Sequence, residues 1–457
     1  MKKLWLFLLS LGLVMAFSVS AFAADVKFSG EYYAAGLYLN HVDLRDEAPG
    51  TVFTRSTAFF YQRLRLGTDF VVSPCLRLVT RMDIMERTWE PDSEAYYDTG
   101  SYDRNLDFDM AYIDYTSPIG LFQVGYMLDY AWGTIWGKRT TGPTAGQIKY
   151  VLPFNFGNTG LKLVAVYAKE EENDYFVDNT GVVANDRDYD SYRVGPIFDW
   201  KGNNFSGEAG VLFIYNQVRQ YRTLPLTPLT APFKQDMYVV QPYFKAKAGP
   251  VTMQGEINYA WGDRDFETPL VDDQAINSFT AWLDADAKFG IVSIGGSLAF
   301  VQGQDPDDTD EINNALTGGR DWDPCLIMFN NTTANSWVGQ VRTYTNNGAY
   351  MTGPIGEMKN AWFVQGRIGV TPIPKLTFTG SLSYAGTHES PVNALGNEYD
   401  DDYGWELDIT GTYKITNNLS YMLGGAYFWT GDYFQAGYDT NDLTDDYMII
   451  NKLTLNF

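Results

Sequence analysis

The feature that most constrains the fold is a period of two in the apolar residues. In PVTMQGEINYAWGD, every second residue from Val251 to Trp261 is apolar or glycine, and the residues between them are mostly polar. Segments 278–290 and 402–415 repeat the pattern. Side chains alternate between the two faces of a β-strand, so each segment predicts a strand with one charge-free face. At about ten residues, such a strand is long enough to cross a bilayer when tilted.

The chain ends DYMIINKLTLNF, and this apolar face continues to the terminal Phe457. Terminal residues usually fray unless a sheet holds them, and a sheet in lipid must close because unpaired edge groups are costly there. We therefore expect the last strand to pair with the first. Asn451 interrupts the apolar face, which predicts either cover by a neighbouring subunit or a position in the membrane interface.

The first residues, MKKLWLFLLSLGLVMAFSVSAFAA, combine two lysines, an apolar core and the small-residue sequence Ala21-Phe22-Ala23. This pattern predicts a signal peptide over 1–23 and export of residues 24–457 as a single barrel domain, with a retained membrane anchor as the alternative. No later apolar run reaches the length of about 18 residues that a membrane-spanning helix needs.

Composition excludes several functions. The chain has 33 Lys plus Arg against 56 Asp plus Glu, and a net charge of −23 argues against nucleic-acid binding. The two cysteines, Cys75 and Cys325, are too few for a disulfide scaffold and fall in a short turn and a long loop. His41 and His388 stand in no catalytic or metal-ligand pattern. We therefore expect no enzyme activity, no catalytic residue, no cofactor and no metal.

Turn residues divide the chain into eight short turns and nine longer, mostly acidic loops, which alternate strictly. This predicts an all-β, antiparallel, up-and-down transmembrane barrel of 18 strands, with short periplasmic turns and long outer loops. Sixteen strands is the alternative, because Pro196 and Pro242 fall inside proposed strands and cannot donate to a ladder. The long loop 302–358 and the loop 130–145 are rival candidates for a constriction.

The phrases FYQRLRLGTDF, YIDYTSPIGLFQVGYM and WGTIWG, with the terminal KLTLNF, resemble those of Gram-negative outer-membrane porins and are similar to porin-like and alginate-export-type barrels of 18 strands. The resemblance implies residence in the bacterial outer membrane, among its lipid and lipopolysaccharide. It also implies that Phe457 is the signal read by the barrel-assembly machinery. A homotrimer is left open.

Charged residues on the predicted inward faces are the pore-lining candidates. Two hypotheses apply to the arginines among them. They form a wall that attracts anions, or they form ordinary cross-strand pairs, Arg63 with Asp83 and Arg77 with Asp69. The candidates are Arg63, Arg65, Arg77, Arg81, Asp83, Asp107, Asp109, Lys149, Lys245, Arg367, Glu406 and Asp408.

The expected function is a porin: a water-filled channel for passive diffusion of small hydrophilic solutes or ions. The alternatives are a substrate-selective channel for anionic or sugar-acid solutes, and a structural or surface-interaction barrel whose acidic loops are the working part. The acidic run DPDDTDE at 305–311 lacks the glycine and terminal glutamate of an EF-hand, so we interpret it as solvated surface.

Overall fold

The computed structural model describes most of the predicted barrel. The described residues are 25–40, 44, 56–89, 106–129, 132–140, 144–172, 188–220, 233–266, 269, 271–330, 356–393, 395–438 and 442–457. The predicted signal peptide, His41 and the middle of loop 302–358 lie outside them. Within the described residues, no helix is long and apolar enough to cross a membrane.

Most of the described residues form strands, and they include one 3-10 turn at Asp432–Gln435. The strands that make up the wall are β1 (Asp25–Leu39), β2 (Thr57–Ser73), β3 (Leu76–Thr88), β4 (Leu106–Ser117), β5 (Gly120–Leu128), β6 (Thr144–Phe156), β7 (Thr159–Glu171), β8 (Tyr189–Lys201), β9 (Phe205–Gln220), β10 (Phe233–Ala248), β11 (Val251–Phe266), β12 (Gln274–Phe289), β13 (Val292–Val301), β15 (Ala361–Ile373), β16 (Leu376–Gly386), β17 (Asp402–Lys414), β18 (Leu419–Thr430) and β19 (Asp446–Asn456). The short β14 (Glu311–Ile312) is not part of the wall.

Neighbouring strands pair antiparallel around a closed barrel of 18 strands, as predicted. Strand β13 pairs directly with β15, while β14 runs parallel to the outer end of β12. Strand β19 pairs with β1 from Met448↔Leu39 to Asn456↔Glu31, which closes the sheet. All short turns lie at one end of the barrel, together with the first and last strand ends, and the strand ends that lead into the long loops lie at the other.

The two prolines that left the strand number open lie inside wall strands. Pro196 pairs with Leu163 on the β7 side, but the β8–β9 ladder passes from Val194↔Phe213 to Ile197↔Gly210 without it. Pro242 similarly pairs with β9 and is skipped in the ladder to β11. Each proline therefore interrupts one ladder and leaves the other intact, so the sheet closes with 18 strands rather than 16.

The outer surface of the barrel is an apolar band bounded by aromatic side chains. Near the long-loop end, neighbouring strands place aromatic rings in contact, with centroids 5.1–6.0 Å apart: Tyr167, Tyr192, Tyr215, Tyr238 and Trp261. Near the short-turn end, exposed phenylalanines form a second girdle that includes Phe156, Phe205, Phe289 and Phe457. Tyr215 and Phe205 are ten residues apart in β9, which is about 33 Å along the strand. Because the strand is tilted by ~40° from the barrel axis, this corresponds to roughly 25 Å along the axis. This is the height of a transmembrane band.

On the outer face, Gly30 and Gly36 of β1 lie under the side chains of Phe457 and Asn451 at the end of the chain. The N–H of Phe457 donates to Gly30 O at 3.0 Å, and the ring lies 2.7 Å from where a Cβ of Gly30 would stand. Asn451 lies opposite Gly36, and its Nδ2 donates to Gly36 O at 3.4 Å beside the ring of Phe60. The barrel itself therefore supplies a partner for the Asn451 amide, without a second subunit.

Candidate functional site

Two loops from the long-loop end fold into the barrel and meet there. The segment 132–140 follows β5, and the segment 302–330 follows β13. Backbone N–H groups of Gly319 and Arg320 donate to Trp136 O at 3.1 and 3.3 Å. The Trp136 ring also packs against Trp282 of the wall and Trp322 of the second segment, with centroids 6.1 and 5.3 Å away. The two rival constriction loops therefore form one inserted body.

A buried carboxylate of the wall holds segment 132–140. Glu256 of β11 is 3% exposed, and its Oε2 accepts hydrogen bonds from both the backbone N–H and the hydroxyl of Thr134, each 2.8 Å long. A Cβ on Gly133 or Gly137 would lie 2.5 or 2.2 Å from the Glu256 oxygens, and Gly133 has φ +81°. The two glycines of WGTIWG thus let the backbone wrap around this carboxylate. Glu256 is the sixth of the 16 residues of β11, so the contact lies well inside the barrel.

The segment 302–330 is held by two of the predicted pore-lining residues. Glu406 is fully buried and accepts backbone hydrogen bonds from Ile327 at 2.7 Å and Met328 at 2.6 Å. Asp408 accepts from the backbone N–H of Leu326 at 3.4 Å and from a wall serine. In this structure the loop covers both carboxylates and separates them from the open lumen.

Thr140 links the two inserted segments to the opposite wall. Its N–H donates to both oxygens of Asp321 at 2.9 and 3.0 Å, and its hydroxyl donates to Asp321 Oδ1 at 3.2 Å. Its carbonyl accepts from Arg81 at 2.9 Å and from Arg65 at 3.4 Å. Because β2 and β3 lie across the lumen from β11, these bonds form a bridge that narrows the barrel at mid-height.

The arginines of β2 and β3 are paired with acids of their own wall. Arg65 forms a bidentate pair with Asp83, at 2.7 and 2.6 Å, and Arg81 bonds Asp109 at 2.9 Å. The expectation that Arg63 lies opposite Asp83 is wrong, because the short turn that pairs Ser73 with Leu76, together with the irregularity between Val71 and Ser73, places Arg65 there instead.

Two further arginines of this wall are also paired with acids. The expected contact of Arg77 with Asp69 is present at 2.8 Å, and Asp114 bonds the same guanidinium at 3.2 Å. Arg63 lies 3.6 Å from each of two glutamates. Asp107 lies opposite Asp83 in the β3–β4 ladder.

Several other inward cations are neutralised in the same way, but Lys138 in the inserted segment and Lys149 beside it are not. Lys245 bonds Glu208 at 2.8 Å, and Arg367 bonds Asp284 at 2.8 Å and also contacts Asp286. For the ammonium groups of Lys138 and Lys149, the described parts of the chain provide no hydrogen-bond acceptor or carboxylate within bonding distance. Burial, together with the nearby charge of Lys245, lowers the pKa of Lys138 in the inserted segment.

Lys149 lines a cavity of about 220 Å³ between segment 132–140 and the inward faces of β4–β10, and Lys138 follows the lining residue Gly137. Its polar groups include Lys149, Tyr112 and Gln241. Most of the remaining lining is apolar: Met110, Met127, Leu128, Trp132, Val164, Val166, Leu212 and Ile214. A water-filled porin wall is expected to be polar on this face. The runs LVAV in β7 and VLFI in β9 are apolar on both faces of their strands. They are the feature of the sequence that could have indicated this cavity.

The closed barrel, its lipid-facing band and its narrowed interior define the chain as a transmembrane β-barrel. No protein-family model matches it, and no curated protein matches it in sequence. Solved structures similar to it include three outer-membrane or related proteins. OpdK of Pseudomonas aeruginosa, solved with vanillate, has 12% identity and a TM-score of 0.49, covering 94% of this chain and 99% of its own. OccK10 (OpdN) of the same organism has 14% identity and a TM-score of 0.48, with the same coverage. OmpT, an outer-membrane protein of Vibrio cholerae, has 10% identity and a TM-score of 0.38, covering 96% and 99%.

Proposed function

We propose that the protein is a passive outer-membrane channel for small solutes, whose selective step lies at mid-height between segment 132–140 and the wall of β4–β10. The observation that carries the proposal is the inserted body itself. Each of its two segments is held by a buried wall carboxylate, Glu256 or Glu406. Fixed loops that narrow a lumen without filling it support a size-limited channel over a wide diffusion pore.

The charges favour passage of anions. The arginines of β2 and β3 are bonded to acids, so their field at a distance is largely cancelled. Lys138 and Lys149 are two lumen cations that have no bonded partner among the described residues. Lys149 lines the cavity through which the proposed path runs, and Lys138 follows the lining residue Gly137. A cation held in a narrow, poorly hydrated passage lowers the energy of an anion there.

The proposal places the protein in the bacterial outer membrane after removal of residues 1–23, in contact with lipid and lipopolysaccharide, with no enzymatic role. Insertion would use the barrel-assembly machinery and Phe457. A homotrimer stays open. The alternative of a structural or surface-interaction barrel would leave the narrowed lumen without a use.

Planar-bilayer recording of the purified mature protein tests the proposal. We expect stepwise KCl conductance and a reversal potential shifted toward chloride in a salt gradient. Lys138→Met combined with Lys149→Met should abolish the shift. The matched control is Lys162→Met, because Lys162 is a lumen lysine paired with Asp199 at 3.3 Å. Absence of conductance from correctly folded protein would favour the structural barrel, and cation preference would contradict the assigned role of the lysines.

A further inference from the structure

The cavity beside segment 132–140 combines one unpaired cation with an apolar wall. Lys149 lies on the inward face of β6, and Val164, Val166 and Leu212 line the cavity from neighbouring strands. A hydrated inorganic ion or a polyol gains little from such a wall, because its hydroxyl or water groups would lose hydrogen bonds there. An apolar body gains from leaving water in the same place. The two features together fit a solute that has both an anionic head and an apolar body.

The volume of the cavity limits the size of the apolar body of the solute. An enclosed apolar cavity of roughly 150 Å³ is large enough to admit benzene, a six-carbon molecule. The present cavity is about 220 Å³ and is partly open to the lumen. It therefore has room for six carbons together with a small charged head beside the lysine.

The polar groups of the cavity are placed for a single head group. Arg193 also lines the cavity, but its guanidinium is bonded to Asp129 at 2.6 Å and contacts Glu170. Gln147 is also occupied, since its side-chain Nε2 donates to the carbonyls of Met127 and Leu128. Among the described residues, Lys149, Tyr112 and Gln241 keep side-chain donors without a bonded partner. One cation and two neutral donors suit one negative charge better than two.

We propose that this cavity is a binding site for organic monoanions with an apolar body of about six carbons, and that Lys149 receives the anionic head. The inference rests on the proposed channel function and narrows it. It favours apolar carboxylates or sulfonates over the sugar acids that the arginine-rich sequence suggested. The site would act during passage, as a place where the preferred solute dwells.

Two six-carbon monocarboxylates of equal charge, hexanoate and gluconate, separate this proposal from simple anion attraction. In single-channel recordings in KCl, we expect hexanoate to reduce the current in a saturable way. Gluconate should do so only at concentrations roughly tenfold higher or more, because its hydroxyls lose water in the cavity. Hexanesulfonate should behave like hexanoate if only the charge and the apolar body matter.

Three variants assign the effect to the cavity. Lys149→Met should weaken the hexanoate effect roughly tenfold or more, since it removes a charge-assisted contact. Val166→Thr keeps the side-chain shape and adds a hydroxyl, so it should weaken hexanoate by roughly threefold to tenfold and reduce the difference from gluconate. Val79→Thr is the matched control, because Val79 lies on β3 and does not line the cavity. It should change neither anion.

Calorimetric titration of the same detergent-solubilised protein measures binding without any need for conductance. Equal action of hexanoate and gluconate, or no binding of either, would overturn the proposed site. If KCl conductance is nevertheless present, the channel function stands. Hexanoate binding that depends on Lys149 in a protein without conductance would instead overturn the channel and leave the binding site.

Discussion

Replacement of Glu256 by alanine is the sharpest test of how the lumen is narrowed. The carboxylate accepts two hydrogen bonds from Thr134, both 2.8 Å long and both buried. A hydrogen bond to a charged group contributes about 1.5–3 kcal/mol. Allowing for the cost of burying the carboxylate, we take the low end for each bond, about 3 kcal/mol in total. At about 1.4 kcal/mol per factor of ten, the ratio of held to released segment 132–140 should fall by roughly 100-fold.

The segment should loosen rather than leave the barrel, because other contacts remain. Lys245 still donates to Gly133 O at 3.2 Å, and Trp136 keeps its contacts with Trp282 and Trp322. We therefore expect a higher open-channel conductance with frequent transitions between two levels. Glu256→Gln, which retains one acceptor, should lie between wild type and Glu256→Ala.

Single-channel recording measures both effects. The control is Asp199→Asn, which removes a lumen carboxylate near the short-turn end and touches neither inserted segment. Loss of heat-modifiable mobility on gels would identify a variant that fails to fold. A folded Glu256→Ala protein with the conductance and noise of wild type would refute the anchoring role of this carboxylate.

Three further outcomes follow from the contacts described above. Glu406→Ala removes the acceptor for the backbone N–H groups of Ile327 and Met328, so it should loosen segment 302–330 and raise the conductance. An unchanged current would mean that the aromatic contacts alone hold the segment. Deletion of Phe457 should lower the amount of assembled barrel in outer-membrane fractions and leave the conductance of the assembled fraction unchanged. Gly30→Ala places a Cβ 2.6 Å from the backbone oxygen of Arg65 and 2.7 Å from the Phe457 ring, so it should destabilise the folded barrel by roughly 1–3 kcal/mol in urea titrations, unlike Gly366→Ala, where the added Cβ meets open space. Burial lowers the pKa of Lys138, so its charge is lost at a lower pH than the charge of an ordinary lysine, whose pKa is near 10.4. Chloride preference should therefore decline as pH rises toward that value, and Lys138→Met should remove the early part of the decline.

The wall of the barrel was predictable because its signal is local. A period of two in the apolar residues follows directly from strand geometry, and each segment shows it without reference to any other. The strict alternation of short turns and long loops then set the strand number. Pro196 and Pro242 were ambiguous because a sequence does not show which of two neighbouring ladders can be interrupted.

The interior was less predictable because it depends on what fills the lumen. Alternation put Glu406 and Asp408 on the inward face, but nothing in their own strands indicates that a loop lies over them. Glu256 was not identified as an anchor for the same reason. The pairing of Asp83 with Arg65 rather than Arg63 depends on where the β2–β3 turn falls and on the irregularity between Val71 and Ser73, and a two-residue difference in register leaves the same residues facing inward.

The charged side chains of the lumen fall into two groups: those that hold the inserted segments and those that can act on a solute. Glu256 and Glu406 are engaged by the backbone of the inserted segments, so their removal should change both loop position and current. Lys149 bonds nothing among the described residues, so Lys149→Met costs the folded barrel little and should leave KCl conductance near that of wild type while altering selectivity. This contrast can be measured in one series of recordings. If Lys149→Met changed conductance and stability as strongly as Glu256→Ala, the lysine would be a structural residue and the assignment of selectivity to it would fail.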